Sequence, residues 1–290
     1  MKRIALFVCL ALLAAAPAAA KPLFMPWIDG TSATEPQTHT QRYDRDTYVI
    51  RQSLRTSFEA PFLYLLFGRD RALLLDTGAG GLRIRPAVDA AIAQWLAEHH
   101  RASIPLVVAH SHGHGDHHAG DDEFRARPDT TVVGLTPEDA AAFFKITDWP
   151  RQVVRFDLGG RTLQIIPTPG HQPAHIMIWD PKTRWLLSGD TLYPGRLYVP
   201  SNRFADYRDS IDRVAAFAKG HSVRWVMGAH IEMRSEPGQQ FPDRPPHAGE
   251  HVLELPYPRL LELQAAVHAM GEKVVLDVHP DFVVFPTAPR

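Results

Sequence analysis

The stretch His112-Gly113-His114-Gly115-Asp116-His117 places three imidazoles and a carboxylate within six residues. It follows Ile104-Pro-Leu-Val-Val-Ala-His110, an apolar, β-branched run of the kind that forms a buried strand and then stops at a tight loop. Alternate glycines let the backbone curl, so these side chains can converge on one point. Neutral imidazole and carboxylate are ligands for borderline and hard divalent metals, with zinc favoured where histidine dominates. His112 and His114, two apart, can share one ion, and the adjacent Asp116 and His117 can turn to a second. A histidine-rich tract that binds metal adventitiously is the simpler reading, but it leaves Asp116 and the preceding strand unexplained.

Three more segments repeat the pattern of an apolar run ending in a glycine and a potential ligand. They are Thr168-Pro169-Gly170-His171, Ser188-Gly189-Asp190-Thr191 and Gly228-Ala229-His230. Asp190 alone would read as a helix cap, yet beside two dications it suits a bridge, because one carboxylate can offer an oxygen to each. Leu73-Leu74-Leu75-Asp76-Thr77-Gly78 is a further strand that ends in a turn. Asp76 reads either as a turn residue or as a carboxylate that aims a ligating histidine from behind.

The hexad, with the earlier Asp-Thr-Gly and the later Thr-Pro-Gly-His and Gly-Asp elements, resembles the metallo-β-lactamase-fold hydrolases over roughly residues 45–235. The resemblance implies an α/β architecture, a four-layer αββα sandwich with a metal centre along one edge between two sheets. It implies His112, His114 and His171 for one zinc ion, Asp116, His117 and His230 for another, and Asp190 between them. His175 matches a second histidine of the Thr-Pro-Gly-His element that is usually structural. Gln172 and Ala174 depart from the commoner Thr and Gly there, which bears on loop shape more than on metal binding.

The activity implied is hydrolysis of a small-molecule ester, lactone or thioester, with Asp116 orienting the attacking water and shuttling its proton. Tyr193, three residues after Asp190, resembles a tyrosine that helps bind the substrate carbonyl in acyl-homoserine-lactone hydrolases; otherwise it is an ordinary buried aromatic. Tyr198, Arg196 and Arg203 are candidates for the same pocket. A periplasmic β-lactamase is the alternative enzyme, although β-lactam-specific relatives commonly lack the bridging Asp or use Cys. A non-catalytic metal-binding or partner-binding domain is the alternative outside enzymes.

The elements that must position these residues follow from periodicity. Strands are expected at Tyr48–Ile50, Phe62–Phe67, Ala72–Leu75, Thr131–Gly134, Val153–Leu158, Thr162–Pro167, His175–Trp179, Arg184–Leu187 and Val223–Met227. Helices are expected at Pro86–His99, from Thr136-Pro137, at Asp206–Lys219 and at Leu260–Met270. Val274–Phe285 reads as a strand, and Ile231–His251 as a Pro- and Gly-rich loop long enough to be functional or mobile.

The chain opens on Met1-Lys2-Arg3, an apolar run to about Ala16, and Ala18-Ala19-Ala20, the pattern of a cleaved secretory signal. Residues 1–20 are therefore expected to be a signal peptide, 21–45 an exposed lead-in and 46–290 one domain, secreted into a bacterial periplasm without stable membrane insertion. Cys9, the one cysteine, lies inside the signal, so the processed chain has no disulfide, thiolate ligand or cysteine nucleophile. A formal net charge of −1 lacks the basic face that a nucleic-acid partner needs.

Overall fold

The structure, a computed structural model, describes residues 21–289. The expected signal peptide lies outside the described residues, among which no helix is long and apolar enough to cross a membrane. The first half of the chain runs β1 (Thr38–Asp44), β2 (Thr47–Gln52), β3 (Phe62–Phe67), β4 (Ala72–Leu75), α1 (Arg85–Glu98), β5 (Leu106–Ala109), α2 (Gly115–His118), α3 (Asp121–Arg125) and β6 (Thr130–Val132). Its six strands form one sheet in sequential order, antiparallel as far as β4 and parallel from β4 to β6.

Helix α4 (Pro137–Phe144) leads into the second half. Its Thr136 cap and Asp139 form a reciprocal capping box, as the Thr-Pro start anticipates. There follow β7 (Val154–Asp157), β8 (Thr162–Pro167), β9 (Ile176–Asp180), β10 (Trp185–Gly189), β11 (Arg196–Pro200), α5 (Phe204–Lys219), β12 (Trp225–Gly228), β13 (Glu254–Pro256), α6 (Pro258–Ala269), β14 (Asp277–Val278) and β15 (Val283–Thr287). The second sheet has the order β13-β12-β10-β9-β8-β7, and a small third sheet has the order β11-β15-β14.

Why the strands read as continuous apolar runs is clear from the layers. In β3, Phe62, Tyr64 and Leu66 face the second sheet, whereas Leu63, Leu65 and Phe67 face α1 through Val88, Ile92 and Trp95. In β9, Ile176 and Ile178 face the first sheet, whereas Met177 and Trp179 share the outer core with Ile211 and Val214 of α5. Period-2 alternation thus splits each strand between two apolar layers, and each large side chain so buried contributes about 1.5–3 kcal/mol. The result is the expected αββα sandwich.

Expectation and structure differ in several places. Residues 21–45 are an exposed lead-in only in part. β1 pairs with β2 as the edge of the first sheet, and Phe24 and Trp27 pack on the inter-sheet core against Trp185 and Phe62. β11 and β13 were not anticipated. Val274–Phe285 is not one strand but the hairpin β14–β15, broken around Pro280, which has no N–H for a ladder. Loop 231–251 folds on itself through bridges Met233–Gln240 and Arg234–Glu250, and Arg51 of β2 grips Glu250 with both guanidinium nitrogens.

A second clamp joins the two sheets at the ends of β3 and β9. Arg161 pairs with Asp180 at 2.6 Å and donates to the carbonyls of Asp46 and Phe67 and to the Thr47 hydroxyl. Both partners are buried, so removing one strands the other charge in a low-dielectric setting. Asp180→Ala is therefore expected to cost about 3–5 kcal/mol in urea unfolding, while the folded fraction keeps the parent metal content.

Candidate metal centre

Four of the seven expected ligands lie just past the C-terminal end of a strand. His112 follows β5, His171 follows β8, Asp190 follows β10 and His230 follows β12. β8, β10 and β12 run in the same direction, so their C-terminal ends meet at one side of the second sheet. The helical turn α2 then brings Asp116 and His117 round to face them.

The seven side chains form two groups. In the first, His114 Nδ1 lies 3.0 Å from both His112 Nε2 and His171 Nε2. In the second, His117 Nε2 lies 3.1 Å from Asp116 Oδ2, and His230 Nε2 lies 3.4 Å from that oxygen. Asp190 stands between them. Its Oδ1 is 3.3–3.4 Å from His230 and His117 Nε2, and its Oδ2 is 3.6–3.8 Å from His171 and His112 Nε2.

Proton positions test whether a cation fits. His171 Nδ1 donates to the Tyr198 carbonyl and His230 Nδ1 to the Glu59 carbonyl, both at 2.7 Å, and a carbonyl can only accept. His117 Nδ1 donates to Asp76 at 2.9 Å, confirming Asp76 as a support behind the ligands. The Nε2 atoms of these rings are left to point inward. Asp190 Oδ1 is buried without a hydrogen-bond partner among the described residues. Convergent lone pairs and an orphaned carboxylate oxygen are what a divalent cation neutralises, and the all-nitrogen-and-oxygen donor set suits zinc or a similar metal.

The two groups differ in charge. Burial drives His112 and His171 below the ordinary imidazole range and takes His114 to about 4, so the first group is neutral. Burial also opposes charge on His117 and His230, but the Asp116 and Asp190 carboxylates overcome it and raise both. The buried Asp190 and the half-buried Asp116 are held well below the carboxylate range by those imidazoles.

His175 is fully buried outside both groups, with Nδ1 2.8 Å from the Thr168 hydroxyl, and is structural. Tyr193 does not face the site as a carbonyl-binding residue. It is 1% exposed, its ring packs edge-on against His230, and its hydroxyl donates to the Arg196 carbonyl. The reason is packing, since Gly228 closes so tightly on Tyr193 that even a Cβ there would collide with it. Tyr198 is half-buried against Phe285, and Arg196 is spent on Glu232 and Asp243.

One rim residue has no signal in the sequence. Glu59 is half-buried on the β2–β3 loop beside Phe58, which is 54% exposed. Burial pushes its carboxyl up to about 7, with Asp116, Glu232 and Asp190 adding and His230 opposing. Only the fold brings it to His230, 171 positions away.

Two outcomes follow. Protons held by His117 and His230 compete with a cation, so acidification should release the ion of the four-donor group at a higher pH than that of the three-histidine group. Metal content after dialysis across pH 4–7 would show two steps, about one equivalent each. In metal-free protein the raised Glu59 pKa contributes stability that is complete below about 4.5 and lost as pH rises to about 7. Glu59→Gln should flatten that decline, on the order of 2 kcal/mol, in urea unfolding at pH 5 and pH 7.5.

Comparison with known proteins agrees with the geometry. A family model described as Metallo-beta-lactamase superfamily matches residues 58–216, more than half of the chain. The chain is 26% identical over 217 residues to a Bos taurus protein named Acyl-coenzyme A thioesterase MBLAC2, covering 63% of this chain and 77% of that protein. It is 35% identical over 94 residues to the Hydroxyacylglutathione hydrolase of Rhizobium meliloti (strain 1021), covering 30% of this chain and 35% of that one. A solved structure described as a metallo-beta-lactamase from Pontibacter korlensis superposes with a TM-score of 0.54 at 14% identity, over 80% of this chain and 99% of that one. With the fold, the order of the ligands and the family match in agreement, the chain belongs to the metallo-β-lactamase superfamily.

Proposed function

We propose that this chain, a metal-dependent hydrolase, is exported and holds two zinc ions with which it cleaves a small ester, lactone or thioester. The observation that carries the two-ion reading is Asp190, whose two oxygens face different histidine groups. Relatives named as an acyl-coenzyme A thioesterase and a hydroxyacylglutathione hydrolase support an acyl-transfer reaction to water. The charged, then apolar, then alanine-rich start of the sequence supports export.

His112, His114 and His171 would hold one ion, Asp116, His117 and His230 the other, with Asp190 shared. Bound there, a pair of dications would lower the pKa of water between them and polarise the scissile carbonyl. The chain's own part is orientation and proton handling. Asp116 is ionised and only partly buried, so its carboxylate can accept a hydrogen bond from the attacking water and take its proton. The carbonyls of Tyr198 and Glu59 keep His171 and His230 in one tautomer throughout.

The test joins metal content by mass spectrometry to a panel of an aryl ester, a homoserine lactone, an acyl thioester and a cephalosporin. Two equivalents of zinc with ester, lactone or thioester turnover are expected, and Asp190→Asn should lower kcat/KM by about 100-fold or more. A panel dominated by the cephalosporin would move the chain to β-lactam hydrolysis. Absence of both metal and turnover would leave a binding domain. The mass of protein from a periplasmic fraction would show whether the chain begins after Ala20.

A further inference from the structure

Ser111 lies between the last strand residues of β5 and the first ligand, and it is fully buried. Its backbone is tied to both sheets, since its N–H donates to Asp76 Oδ1 at 2.7 Å and its carbonyl accepts from Ile176 N at 2.8 Å. Its hydroxyl Oγ lies 2.9 Å from Asp76 Oδ2, 3.1 Å from His112 Nδ1 and 3.2 Å from His117 Nδ1. Gly189, just before the bridging Asp190, leaves the room, because a Cβ there would sit 2.8 Å from Ser111 Cβ.

Counting protons assigns each bond. A serine hydroxyl has one proton and two lone pairs, and a carboxylate only accepts. The hydroxyl proton therefore goes to Asp76 Oδ2. His117 Nδ1–H also goes to Asp76 Oδ2, its closer acceptor at 2.9 Å. The free lone pair of Oγ is then left for Nδ1–H of His112. Were the hydroxyl to donate to His112 instead, the ring proton would sit on Nε2, pointing into the three-histidine group. Asp76 prevents that by engaging the hydroxyl proton. Among the four histidines that face the centre through Nε2, His112 alone is oriented by a hydroxyl that could rotate; the others donate to a carbonyl or a carboxylate.

The geometry points to Ser111 as a positioning residue that passes the Asp76 charge to His112, so that one carboxylate sets the ring proton of a histidine in each metal group. This rests on the two-ion reading, but it concerns tautomer and metal affinity rather than turnover. Ser111→Ala deletes one oxygen and leaves His117 on Asp76, so the two groups should respond differently. Zinc affinities from chelator competition, with folding checked by circular dichroism, should show one ion weakened by about 10–100-fold and the other by less than about threefold. Imidazole ¹⁵N–¹H spectra of the zinc-loaded parent should place the His112 proton on Nδ1, and in Ser111→Ala the shifts should assign the weakened ion to the three-histidine group.

Unchanged affinities in Ser111→Ala, equal weakening of both ions, or a His112 proton on Nε2 in the parent would each overturn the inference. A parent that binds two zinc ions but hydrolyses nothing in the panel would overturn the proposed function and leave Ser111's role intact.

Discussion

The constraint behind this structure is the mutual repulsion of unprotonated donors held out of water. Five imidazoles and two carboxylates converge with nitrogen–nitrogen distances as short as 3.0 Å, and most are buried. Such an arrangement is costly unless a cation occupies it or protons are retained within it. The three-histidine group excludes protons through burial, while the group with Asp116 holds them on His117 and His230. The surroundings therefore have to fix the rings rigidly, and for His117, His171 and His230 they do so with groups that accept but do not donate.

Those acceptors come from distant parts of the chain. The Tyr198 carbonyl belongs to β11 of the small third sheet, the Glu59 carbonyl to the β2–β3 loop and Asp76 to the end of β4. Stabilising clamps lie apart from the ligands. Arg161 and Asp180 hold the sheets together at the far ends of their strands, and Arg51 with Glu250 ties the long loop to β2. Glu232 on that loop receives the backbone N–H of Arg196 at the start of β11, so the loop supports the strand that aims His171.

His112, His171, Asp190 and His230 stood out because each follows an apolar run, His114, Asp116 and His117 because they crowd into one hexad, and the resemblance joined them into a set. The αββα layers came from the resemblance, while the alternation of apolar strand runs with amphipathic helices showed only that sheets lie inside and helices outside. β1 escaped because Thr38–Asp44 is a polar, half-exposed edge, and β13 because three residues carry no period. Tyr193 shows a different gap. Spacing from Asp190 put its ring beside the centre, but only the packing of Gly228 decides that the hydroxyl turns away. Glu59 and the acceptor role of Ser111 depend on partners and proton counts that a linear motif does not contain.

The segment that begins at Pro22 has a consequence for how the molecule is made. Leu23 donates its N–H to Glu254 across 231 positions, and Phe24 and Trp27 close the open seam where β1 and β13 edge the two sheets. The earliest described residues thus find their partners only after nearly all of the polypeptide has been synthesised. A topology with such distant contacts folds slowly and cannot reach its final form on the ribosome piece by piece. The seam between the two sheets therefore stays unsealed until the last strands arrive.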